Sequence, residues 1–70
     1  MDKYCVNKNT DNPGGNHEVH EYSCSWLPEP ENREDLGEFS DCHGAVKEAK
    51  NRGYSKVDGC IHCSPSCHKE

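Results

Sequence analysis

Six cysteines and five histidines in a 70-residue chain are the residues here that could do chemistry. Cys60-Ile61-His62-Cys63 is the strongest local signal. Two intervening residues let both sulfurs face one point across a tight turn, with backbone N–H groups directed at the thiolates, as tetrahedral zinc requires. Thiol oxidoreductases use the same spacing, so the pair by itself also fits a dithiol that cycles through a disulfide. Upstream, His20 and Cys24 are separated by three residues, a spacing that can place an imidazole and a thiolate on one ion. The two pairs together predict a Cys3His zinc site at His20, Cys24, Cys60 and Cys63. Cys67, Cys42 and His68 are alternate ligands, and His17 is a further candidate. Cys42 is expected as a small core residue on a helix, with a reactive thiol as the competing reading. Cys5 has no evident partner and reads as a spare thiol.

Composition explains why the cysteines matter. Only 30% of the residues are hydrophobic and another 30% are charged, with one Trp and one Phe. Burial at about 25 cal/mol per Å² must offset an ordering cost of about 1.5 kcal/mol per residue. With so few large apolar groups that sum falls near or below zero, so a staple is required. No export signal and no apolar run long enough to span a bilayer are present, which predicts a cytoplasmic protein that does not enter a membrane. In that compartment metal binding is favoured over disulfides; the competing reading is a disulfide-stabilised scaffold without metal. The net charge of −5 argues against nucleic acid as a partner. A hydrolytic zinc centre needs an open position and a general base, and no HExxH-type pairing exists, so no enzyme is expected.

The elements that must position these residues form one α+β domain over 1–70, with an ordered part at about 3–68. The pattern predicts a small antiparallel sheet of two to three short strands, one α-helix and a C-terminal Cys-x-x-Cys knuckle. Residues 3–8 alternate, with Tyr4 and Val6 on one face. Asp11-Asn12-Pro13-Gly14-Gly15-Asn16 reads as a turn, and His17 to Tyr22 as the returning strand. Trp26 and Leu27, the largest apolar pair, must meet the core or a protein partner. Pro28 to Arg33, with two prolines, reads as an irregular excursion, followed by a short strand at Leu36 to Phe39. A helix is predicted from about Asp41 to Arg52, with Ser40 as N-cap and Gly53 as the stop. Its apolar stripe is Cys42, Ala45, Val46 and Ala49.

Two resemblances follow from these residues. His20-x-x-x-Cys24-Ser25-Trp26-Leu27-Pro28, Leu36-Gly37-Glu38-Phe39, Cys42 and Asp58-Gly59-Cys60-x-x-Cys63-x-x-x-Cys67-His68 resemble a family of small uncharacterised bacterial Cys/His-rich proteins, with no known activity. The order of a first metal pair with three residues between, short strands, an alanine-rich helix face and a C-x-x-C pair is similar to the zinc-binding domain of Ada-type DNA methyl-phosphotriester repair proteins. That likeness implies an α+β fold and zinc held by His20, Cys24, Cys60 and Cys63. In that family all four ligands are cysteines and a metal-bound cysteine accepts the methyl group; here His20 stands in the first ligand position. The fold and metal site are therefore what this likeness implies, rather than methyl transfer.

Overall fold

The computed structural model describes residues 1–10 and 15–69. Four strands, β1 (Asp2–Asn7), β2 (His17–Glu21), β3 (Arg33–Phe39) and β4 (Val57–Gly59), and one helix, α1 (Cys42–Asn51), follow in chain order, β4 coming after the helix. The sheet order is β3-β1-β2-β4. β1 runs antiparallel to β2 and β3, whereas β4 lies parallel to β2. The α+β class holds, but the sheet has four strands and is mixed, where two to three antiparallel strands were expected. The additional strand is only Val57-Asp58-Gly59, too short and too polar to show a period of two. Its place comes from the crossover through α1, which returns the chain parallel to β2.

β3 starts at Arg33, earlier than the expected Leu36. Against β1, Tyr4 faces Gly37 and Cys5 faces Asp35, so Leu36 is an extra residue in β3. Gly37, at φ +98°, supplies the left-handed backbone such a bulge needs. Pro30–Asn32, expected as irregular, forms a single 3-10 turn with proline in its first turn. Proline fits there because the first N–H groups of a helical turn lack intrahelical acceptors anyway. Most of the expected turn between β1 and β2, Asp11 to Gly14, lies outside the described residues.

The helix is one residue shorter at each end than expected. Its N-cap is Asp41 rather than Ser40: one Asp41 carboxylate oxygen accepts from the backbone N–H of His43 at 3.0 Å and of Gly44 at 3.4 Å. A carboxylate at that position also complements the positive helix end. The stripe docks as expected. Cys42, Ala45 and Ala49 are buried with Tyr4, Val6, Val19, Leu36 and Cys67, and Phe39, Val46, Tyr54 and Val57 flank them. At the far end of the helix, Arg52 donates to Glu48 and to Glu34, each at 2.8 Å, and the Tyr54 hydroxyl donates to Glu34 at 2.7 Å.

Cys42 is not a free core thiol. It forms a disulfide with Cys67, 25 positions along the chain, with the Cα atoms 6.3 Å apart. Closing a loop of that length stabilises the fold by about 3.5 kcal/mol in the chain-entropy treatment. The bond fastens the first turn of α1 to a short 3-10 turn, Pro65–Cys67, at the C-terminal end. No helix among the described residues is long and apolar enough to cross a membrane.

Candidate metal centre

The face of the sheet opposite the helix carries a second group of sulfur and imidazole atoms. Val19 points to the helix, so its neighbour His20 points away; Cys5, directly across β1 from His20, shares that side. His20 is 2% exposed. Just beyond β2 a tight turn brings Cys24 back, its N–H bonded to the Glu21 carbonyl at 3.0 Å. Cys60 follows β4 directly, and its N–H extends the ladder to the Val19 carbonyl at 3.0 Å. Cys63 completes the knuckle, closed by the Ser64 N–H on the Cys60 carbonyl at 2.7 Å.

Four donor atoms, one each from His20, Cys24, Cys60 and Cys63, lie within 4.8 Å of one another. The Cys24 and Cys60 sulfurs are 4.0 Å apart, and the Cys63 sulfur is 3.9 Å from His20 Nδ1. A tetrahedron with metal–sulfur bonds of roughly 2.3 Å has edges of roughly 3.8 Å. The donor set thus has the size, number and chemistry to hold one metal ion. The other imidazole nitrogen, Nε2, stands 3.8 Å from a Glu18 carboxylate oxygen. At that distance the carboxylate is an electrostatic neighbour of the ring rather than a hydrogen-bond partner.

The environment suits these roles. The backbone N–H groups of Cys63 and His62 near Cys60, and that of Glu21 near Cys63, favour the thiolate forms. These are the donors that stabilise thiolates in a knuckle. Without a cation, burial dominates and pushes both thiols up from their ordinary value. Burial, with a smaller contribution from His62, lowers His20 to about 4. Its imidazole is therefore neutral at pH 7 and able to ligate. Gly59 permits the close approach on which the knuckle depends: a Cβ there would lie 2.6 Å from Cys67 Cβ and 2.7 Å from the Ser64 carbonyl oxygen.

The alternate ligands are placed elsewhere. Cys42 and Cys67 are bridged to each other on the helix side. His68 Nδ1 lies 3.1 Å from the Gly59 carbonyl oxygen and 3.1 Å from the buried Asp58 carboxylate. His17 Nδ1 lies 2.9 Å from the Asn7 carbonyl oxygen. Two residues that no motif marked belong to the surroundings of the site. Cys5, fully buried, is a free thiol that burial pushes up to about 11. His62 stacks on Trp26, centroids 4.6 Å apart and planes 16° from parallel. Neither had a spacing signal, since Cys5 reaches the site only through the β1–β2 register. No protein-family model, no curated protein and no solved structure matches the chain.

Proposed function

We propose that this protein is a small zinc-binding module in which the ion is structural, held by His20, Cys24, Cys60 and Cys63. One observation supports this above the rest: four donors from β2, the turn after it and the C-terminal knuckle converge within 4.8 Å. Three sulfurs and an imidazole are a donor set suited to zinc, and four protein donors leave no position for substrate. The role is therefore architectural rather than catalytic. The surface that would meet a protein partner is at Trp26, 61% exposed, with Leu27 beside it. The dithiol reading of Cys60 and Cys63 is weaker, because burial raises both thiols whereas exchange needs a thiolate. The state of the remaining sulfurs follows from compartment: a cytoplasmic setting keeps Cys42 and Cys67 as thiols, and an oxidising one keeps them bridged.

Metal analysis of protein purified without added zinc, combined with chelation, tests the proposal. One zinc per chain and loss of tertiary circular dichroism on chelation are expected. A chain that purifies without zinc and declines to bind it would overturn the metal assignment. A metal-free chain that keeps its complete fold would overturn the structural role.

A further inference from the structure

On the helix side of the sheet, a second set of donors shares no residue with the first. Cys42 and His43 are consecutive at the start of α1, and Cys67 reaches them from the C-terminal 3-10 turn. Donor atoms of the three residues lie within 4.8 Å of one another. In the oxidised chain the two sulfurs are bonded to each other and have no valence for a metal. We propose that reducing the Cys42–Cys67 bridge creates a second zinc site, formed by Cys42, Cys67 and His43.

The surroundings are those of a thiolate–metal site. Cα atoms 6.3 Å apart place the two sulfurs within reach of one ion once the bond between them is broken. Cys42 lies in the first turn of the helix, where the dipole favours a thiolate. The Ser66 hydroxyl stands 3.5 Å from the Cys42 sulfur. The Asp41 carboxylate lies 3.6 Å from His43 Nδ1, beyond hydrogen-bond distance but near enough to favour a cation there. His43 is 67% exposed, so the fourth tetrahedral position is open to water. The second site thus differs in kind from the closed first one: two sulfurs, one imidazole and a solvent position.

The chemistry balances with a dithiol as reductant. The dithiol gives two electrons and two protons and becomes a disulfide; the Cys42–Cys67 bond breaks and both sulfurs become thiols. Zinc then binds and displaces those two protons to solvent. The C-terminal turn is fastened to the helix in either state, by a covalent bond when oxidised and by a metal when reduced.

The test is zinc stoichiometry of the full chain by native mass spectrometry, oxidised and after reduction with a water-soluble phosphine removed anaerobically. One zinc is expected in the oxidised chain and two in the reduced one. The doubly substituted C42S/C67S chain should bind one zinc in both states, and His43→Ala should weaken only the second site, by at least tenfold. Two zincs in C42S/C67S, or a reduced wild-type chain that binds one or none, would overturn the proposal. The C42S/C67S chain keeps this outcome separate from the first site, because it lacks only the second set of donors: one zinc there, together with only one in the reduced wild-type chain, overturns this proposal and leaves the first site standing.

Discussion

Trp26 stacks on His62 with centroids 4.6 Å apart, joining the loop that carries Cys24 to the knuckle that carries Cys60 and Cys63. The pair is a clamp across the proposed metal centre, built from the only tryptophan in the chain. Trp26 fluorescence should therefore change on metal removal and return with zinc. Trp26→Ala should lower stability by about 1 kcal/mol, the value of an aromatic pair, and leave one zinc per chain at the first site. Chemical denaturation of the zinc-loaded protein reads the first effect and metal analysis the second.

Removing a ligand should act far more strongly. Structural zinc in small domains supplies folding free energy of about 10–16 kcal/mol. His20→Ala or Cys24→Ser should weaken zinc binding by at least about 100-fold, roughly 2.7 kcal/mol or more. Cys5→Ala should leave stoichiometry intact, because Cys5 is outside the four converging donors. With its thiol pushed up to about 11 and fully buried, Cys5 should resist alkylation at pH 8 in the folded protein. Mass spectrometry after timed alkylation checks this; prompt labelling of Cys5 would contradict the fold.

Zinc binding should release protons. Burial raises Cys60 and Cys63 in the metal-free chain, so both are protonated at pH 7 and zinc must displace about two protons or more. His20, at about 4, gives up none at neutral pH. Affinity should rise with pH, and calorimetry in two buffers of different ionisation enthalpy counts the protons. Burying a neutral His20 also sets an acid limit on the fold. Its folded value lies below the ordinary 6.5, so its contribution is present above about 6.5 and is lost as pH falls toward about 4.

The far end of the helix gives an alkaline counterpart. Burial, and then its hydrogen bond to Glu34, raise Tyr54 to about 12. That contribution is complete below about pH 10 and is lost as pH rises through about 12. Tyr54→Phe should cost about 1 kcal/mol in urea denaturation at pH 7 and abolish the late phase of tyrosine ionisation seen by ultraviolet absorbance.

Gly59→Ala should be among the most damaging single changes. The added methyl would meet Cys67 Cβ at 2.6 Å and a backbone oxygen at 2.7 Å, neither of which is a flexible side-chain end. A loss of about 2–3 kcal/mol is expected by thermal denaturation, together with weaker zinc binding, because the knuckle must shift.

Much of this was written in local residue patterns. The helix stripe of Cys42, Ala45, Val46 and Ala49 follows from a period of 3.6, and β1 and β2 from alternation and turn composition. The pairs His20/Cys24 and Cys60/Cys63 followed from ligand spacing, because two or three intervening residues can converge on one point without knowledge of the rest of the fold; only the pairing of β4 with β2 brings the two pairs together. Cys42 and Cys67 had no such spacing: they lie 25 residues apart, on a helix and a separate turn, and only the docking of α1 on the sheet brings them together. The same holds for Cys5 against His20, set by strand register, and for β4, set by a crossover. Local pattern fixes which residues can share a face or a turn; long-range pairing depends on packing, which no short window of sequence contains.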